Sequence, residues 1–245
     1  MKRPQGQIIL SIGLQRQHAQ QQLCQHVRAA SPVILEVGCS SGFMLHLIRE
    51  HFPHAFVMGS DVVCGPLEQL ALDMPDIPLL HFDLAQCPLP ENSLDAVVLL
   101  NVLEHIEDDA GAMQHIYRIL KPGGIVVMEV PAGPHLYDIY DKLLLHYRRY
   151  SLTALRKLIE EARLQIIEQS HLGCFLYPGF WLVKQRNKRF LAEEDVVHRR
   201  VVAQNIDSTK NSRLMDAVMH IELALGRYIS YPFGIRCLMT CIKPK

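Results

Sequence analysis

An acid followed closely by two glycines, in Leu35-Glu36-Val37-Gly38-Cys39-Ser40-Ser41-Gly42-Phe43, is the arrangement whose residue types and spacing first suggest chemistry. Glycines let a backbone come close to a ligand because no β-carbon stands between them. A helix starting after the second glycine would offer free N–H groups at the same place. Glu36 is a poor neighbour for a pyrophosphate and a good one for a cation, and the GxGxxG spacing of a dinucleotide loop is absent. The turn therefore suits a positively charged small molecule. In a purely structural reading, Glu36 partners the dipole of the next helix and Cys39 is a small filler.

Such a loop must join a strand to a helix. The apolar run 33–38 reads as a buried strand, and 42–52 as a helix stopped by Pro53. Further strands are expected over 55–61, 78–84, 93–102, 125–131 and 164–170, with a helix over 66–72 between the second and third. Ala112, Met113, Ile116, Ile119 and Leu120 mark one face of a helix that Lys121-Pro122-Gly123-Gly124 should end. Ser151 can cap a helix whose face carries Leu152, Leu155, Leu158, Ile159 and Ala162. Strand and helix alternate, which predicts an α/β fold with a mostly parallel sheet and helices on both faces. Ahead of this core, Leu14, Ala19, Leu23 and Val27 suggest a helical cap over 1–30. After 170 the rhythm breaks: 173–183 is apolar and aromatic, 184–190 basic, and 191–210 mixed and partly loop. Leu214, Val218, Ile221, Leu225 and Ile229 follow a helical stripe over 212–229, and 234–243 has strand character. The expected organisation is thus a cap (1–30), a core (31–170), an inserted helical segment (171–233) and a last core strand (234–245).

The totals exclude several classes. With 49% hydrophobic and 20% charged residues, the 245-residue chain can bury a sizeable core, and its formal net charge of zero counts against a nucleic-acid substrate. Its seven cysteines are scattered without a CxxC pair, so reduced thiols in a cytoplasmic setting are expected, and no metal-ligating cluster is visible. No signal peptide and no apolar run long enough for a membrane span are seen.

The chain resembles the class I S-adenosylmethionine-dependent methyltransferases, in the broad group sharing ExGCGxG, an acid ending strand two and LEH after strand four. Glu36, Gly38, Cys39 and Gly42 match the loop, with Ser40 where a middle glycine is common. Serine fits there provided the position does not need a positive φ. The resemblance implies a Rossmann-like seven-stranded sheet of order 3-2-1-4-5-7-6, its last strand antiparallel, and S-adenosyl-L-methionine as cofactor. It also implies roles for particular residues. Glu36, Gly38, Cys39, Ser40 and Gly42 would cradle the cofactor. Asp61 would accept from the ribose hydroxyls, with Val62 beside it, and Asp83 with Leu84 would meet the adenine. Asn101, Val102 and His105, in Asn101-Val102-Leu103-Glu104-His105, would line the methionine end, and Leu120–Gly124 would lead into strand five. Each has a plainer alternative: Asp83 can cap a turn, and Glu104 and His105 can serve packing.

A sulfonium already activates its methyl group, so such a protein needs alignment more than a nucleophile. His146-Tyr147-Arg148-Arg149-Tyr150, ahead of the Ser151 helix, is the candidate acceptor side. His146 titrates near neutrality and could take a proton, with His105 and His135 as lesser candidates. Arg148 and Arg149 could hold a carboxylate or phosphate, and Tyr147 and Tyr150 could line a pocket. Alternatively the arginines pair with acids at the sheet edge and Tyr150 packs beneath the helix. In the insertion, Phe175, Tyr177, Phe180 and Trp181 precede Lys184, Arg186, Lys188 and Arg189. This stretch, 175–190, reads as a lid, as a peripheral membrane contact or as a dimer contact. The resemblance implies transfer of a methyl group to a small-molecule or lipid-like acceptor, oxygen favoured over nitrogen and carbon. The alternative is a non-catalytic binding or partner subunit of the same fold.

Overall fold

The computed structural model describes residues 9–209, 213–226 and 228–245, with side chains undescribed at 9–15 and 206–216. Residues 1–8 of the expected cap, and the side chains of Leu14 and Leu214 in the two helical stripes, therefore lie outside the described residues.

A seven-stranded sheet of order β3-β2-β1-β4-β5-β7-β6 forms the centre, as the resemblance implied. Its strands are β1 (Val33–Val37), β2 (Phe56–Asp61), β3 (Leu79–His81), β4 (Leu94–Leu100), β5 (Leu120–Pro131), β6 (Gln165–Leu172) and β7 (Arg236–Ile242). β1 to β5 run parallel to their neighbours, while β7 lies antiparallel between β5 and β6. β4 and the second half of β5 are nearly continuous apolar sequence because both of their faces are covered.

One face is covered by α1 (Ile9–His26), α2 (Phe43–His51) and α3 (Cys64–Asp73). Ala19, Leu23, Met44, Leu45, Ile48, Leu67 and Leu70 meet Ile34, Ala96, Val98, Ile125 and Val127 there. Gln22 of α1 also accepts from the Thr240 hydroxyl at 2.9 Å, which ties the helix to β7. The other face is covered by α4 (Asp109–Ile119) and, beyond the short α5 (Ile139–Leu143), by α6 (Leu152–Glu161). Met113, Ile116, Leu155 and Ile159 pack there on Leu35, Val97, Val126 and Met239. The Asp108 and Ser151 side chains cap α4 and α6 by accepting from the N–H of Gly111 and Ala154.

Two local expectations change. Leu120 does not continue α4, which ends at Ile119; it is extended and pairs with Leu94, so Lys121–Gly124 already belong to β5 across a register shift. The 191–210 stretch is largely helical: after α7 (Tyr177–Asn187) and a 3-10 turn at Lys188–Phe190 come α8 (Asp195–Thr209) and α9 (Arg213–Leu225). Among the described residues, no helix is long and apolar enough to cross a membrane.

Candidate functional site

The loop from β1 to α2 lies at the carboxyl edge of the sheet, and its glycines are required there. Gly38 has φ +74, and a β-carbon on it would stand 2.6 Å from Val102 Cγ2. Gly42, at φ +71, is closed off in the same way by the Leu70 side chain. The N–H groups of Gly38 and Cys39 donate to the Ser60 carbonyl at 2.7 and 2.9 Å, which draws the loop over the end of β2. The proviso on Ser40 fails: its φ is +44. That conformation is costly for a residue with a β-carbon, and it is held by the Ser40 N–H donating to Asp61 Oδ2 at 3.1 Å. Cys39 is buried against this loop, and burial, with Glu36 and Asp61 nearby, pushes its thiol up to about 12. That makes it a filler and not a nucleophile.

Glu36 sits on β1 opposite Gly59 and Val98, only 5% exposed, and its Oε2 has no hydrogen-bond partner. Burial pushes its carboxyl up to about 8, against the pull of Arg16. Arg16 on α1 stacks over the Phe43 ring at 4.3 Å, so the cap closes this side of the cradle. Nothing in the sequence singled out Arg16. A buried, partly orphaned acid beside a turn that needs glycine at both Gly38 and Gly42 fits a cationic nucleoside such as S-adenosylmethionine.

Asp61 ends β2, and its two oxygens accept from Ser40 and Val63 N–H at 3.1 and 3.0 Å. Each oxygen keeps a second lone pair. Val62 is exposed beside it. Asp83 accepts from Ala85 N–H at 2.9 Å and so caps the 3-10 turn Leu84–Gln86, in which Leu84 is buried. Asn101 and Val102 lead into a second 3-10 turn at Leu103–His105, with Asn101 at φ +59 and its side-chain oxygen accepting from Arg236 Nη1.

Beside that turn, folding assembles a buried ionic cluster. Glu104 is fully buried, and neither of its oxygens has a hydrogen-bond partner. Burial raises its carboxyl to about 7. His146 Nδ1 lies 2.8 Å from Asp141 Oδ1, its Nε2 lies 4.0 Å from Glu104 Oε1 without a hydrogen-bond partner, and its ring meets His105 edge-on at 4.6 Å. Glu104, His105 and His146 each bring a ligand atom into one group whose atoms lie within 4.8 Å of one another, a grouping not visible in the sequence. The cluster escaped the sequence because its members lie on two segments that only the fold brings together.

The arginines follow the structural alternative. Arg149 is buried, donates through Nε to both Asp141 oxygens at 2.8 and 2.9 Å, and reaches the Ala132 carbonyl. Arg148 pairs with Asp109 at 2.7 Å and donates to the Glu107 carbonyl. Tyr150 is buried, its hydroxyl 2.7 Å from Asp109 Oδ2, whereas Tyr147 is exposed and its N–H donates to the Glu104 carbonyl. His135 pairs with the Tyr177 hydroxyl at 2.8 Å.

Sequence reasoning missed Asp138, Asp141, Glu129 and Arg236 here and misplaced Lys184. Lys184, placed in the basic cluster of the insertion, instead turns inward to Asp138 and Asp141 at 2.6 and 3.2 Å. Burial would raise the Asp141 carboxyl, yet His146, Arg149 and Lys184 together hold it well below the usual carboxylate range. Glu129 on β5 is buried with both oxygens unpartnered by hydrogen bonds, 3.6 Å from Arg236 on β7, and burial pushes it up to about 8. An acid inside the apolar run Ile125–Pro131 was the available signal.

The sequence profile of a methyltransferase-domain family matches residues 35–128. A Mycolicibacterium smegmatis protein named a probable S-adenosylmethionine-dependent methyltransferase is 29% identical over 171 residues, which is 69% of this chain and 65% of that one, just under two thirds of its length. The demethylmenaquinone methyltransferase of Staphylococcus aureus is 27% identical over 171 residues, covering 68% of each chain. Among solved structures, an S-adenosylmethionine-dependent methyltransferase from Mesorhizobium loti superposes with a TM-score of 0.62 at 16% identity, over 95% of this chain and 99% of that one.

Proposed function

Since the chain belongs to the class I S-adenosylmethionine-dependent methyltransferases, we propose that it moves a methyl group from that cofactor to an oxygen of a small-molecule or lipid-like acceptor. The observation that carries the reading is Glu36, a buried acid with an unpartnered oxygen beside a loop whose two glycines, Gly38 and Gly42, have no room for a β-carbon. The Staphylococcus relative, named for a small-molecule acceptor, supports that acceptor class.

S-adenosylmethionine supplies, when bound, a methyl group already activated on a sulfonium. Glu36 receives the cofactor's positive end. Asp61 uses its remaining lone pairs for the ribose hydroxyls and keeps Ser40 in place. Val62 and Leu84 border the adenine, with Asp83 fixing the turn beneath it, and the Asn101–His105 backbone borders the methionine end. The chain's own share is to align the acceptor, exclude water and receive the hydroxyl proton at the cluster around His146.

The reading is tested by equilibrium binding of S-adenosylhomocysteine, followed by transfer of labelled methyl to pooled hydroxyl-bearing metabolites and lipid extracts. Micromolar binding and a labelled product are expected. A folded protein that takes up neither the cofactor nor its demethylated product would end the proposal.

Glu36 adds a pH signature. Its carboxyl is protonated below about pH 8 in the free protein and must ionise to receive a cation. Binding therefore releases a proton, and S-adenosylmethionine affinity should rise about fivefold from pH 7 to pH 8. Glu36→Gln should bind more weakly and with a flat profile. A wild-type profile that is equally flat would remove Glu36 from cation recognition.

A further inference from the structure

We propose that Glu104, His105 and His146 form a binding site for one divalent transition-metal ion, next to the glycine loop. Glu104 is wholly buried, and neither carboxylate oxygen meets a hydrogen-bond donor. Leaving such a group unpaired is expensive, and buried acids are ordinarily paired or bound to metal. His146 Nε2 faces it from 4.0 Å and is also buried without a hydrogen-bond partner. The gap is too wide for a direct hydrogen bond, and a cation between the two atoms would satisfy both.

What lies behind His146 supports the same reading. Asp141 accepts from Nδ1 at 2.8 Å, which puts the ring proton there and leaves the Nε2 lone pair toward Glu104. A carboxylate backing the far nitrogen of an imidazole is how metal-ligating histidines are oriented and made more basic. Asp141 is itself fixed by Arg149 and Lys184, so the ring has little freedom to turn away. His105 extends the set from the same 3-10 turn as Glu104, and one ligand atom from each residue falls within 4.8 Å of the others.

Two imidazoles and one carboxylate suit borderline ions such as Zn²⁺, Mn²⁺ or Fe²⁺ and suit Ca²⁺ or Mg²⁺ poorly. Three protein ligands leave coordination positions open. The site is close to the cradle: Val102, two residues before Glu104, is the side chain that a β-carbon on Gly38 would strike. An ion here would draw in an acceptor bearing one oxygen, or two adjacent ones, and would make its hydroxyl more acidic. That use rests on the methyl-transfer reading above; binding of the ion does not.

The test is calorimetric titration of chelator-stripped full-length protein with Zn²⁺ and, separately, Mn²⁺, alongside S-adenosylhomocysteine binding on the same samples. One ion per chain and a raised Tm are expected. Glu104→Gln and His146→Ala should each weaken ion binding at least tenfold while keeping the wild-type circular dichroism spectrum, which shows that they are folded. His54→Ala, on the exposed surface, serves as the control and should change nothing. Glu104→Gln removes a buried charge and should leave the metal-free protein at least as stable, so lost ion binding cannot be assigned to unfolding. If wild type binds no ion, or the Glu104 and His146 variants bind it as tightly as wild type, the site does not exist. Ion binding without S-adenosylhomocysteine binding would uphold the site and overturn the methyltransferase reading; the reverse result would overturn the site alone.

Discussion

Asp61→Ala is expected to weaken S-adenosylhomocysteine binding by roughly two to four orders of magnitude, because two charge-assisted hydrogen bonds at about 1.5–3 kcal/mol each are lost with the ribose. The carboxylate also holds the cradle itself. Oδ2 takes the Ser40 N–H and Oδ1 the Val63 N–H, and without the first of these Ser40 has little reason to stay at φ +44. Asp61→Asn keeps one acceptor and nearly the same volume, so its loss should be intermediate. Calorimetry on both variants, with circular dichroism to show that they are folded, measures the effect. An alanine variant within tenfold of wild type would mean that the ribose lies elsewhere.

The largest stability effect is expected at Asp141. Its carboxylate serves His146, Arg149, Lys184 and the Asp138 N–H at once, all in the interior. Arg149 and Lys184 are buried cations, and removing Asp141 leaves Arg149 without its carboxylate partner and Lys184 with Asp138 alone, at a cost of about 3–5 kcal/mol. Asp141→Ala should therefore lower the unfolding free energy in urea by about that amount. Arg149→Met in the same chain should restore part of it, because the buried cation that lost its carboxylate is then gone. If the single variant is less than about 1 kcal/mol below wild type, the cluster is not the keystone described. Lys184 sits on α7 while Asp138 and Asp141 sit at the start of α5, so the same variant should loosen the insertion from the core.

How much of this could be read in advance depends on distance along the chain. The β1-loop-α2 unit and Asp61 at the end of β2 were legible, because each is written in a short run of apolar periodicity, glycine or acid, whereas the strand order was implied by the family resemblance alone. Ser40's left-handed backbone was not, since it depends on an acid donated by the next strand. The basic cluster of 184–190 read as part of a lid, a membrane contact or a dimer contact, yet Lys184 is the residue that α7 turns inward, a fact set by where α7 docks. Arg148 and Arg149 read either as ligand hooks or as partners of acids at the sheet edge. Their partners Asp109 and Asp141 come from other loops, and only the assembled sheet edge shows that those charges are already engaged. Glu129 and Arg236 meet across β5 and β7, far apart in the chain, and neither signalled the other.

The placement of β7 has a consequence for synthesis of the protein. β5 and β6 have no direct pairing with each other; each waits for the same antiparallel strand, which is translated after the other six. Until residues 236–242 leave the ribosome, the nascent chain carries two raw β-edges, one of them the strongly apolar β5. Such edges invite pairing with neighbouring chains. Closure is thus a late, all-at-once insertion, and a chaperone that shields β5 during that interval would determine how much native protein a cell recovers.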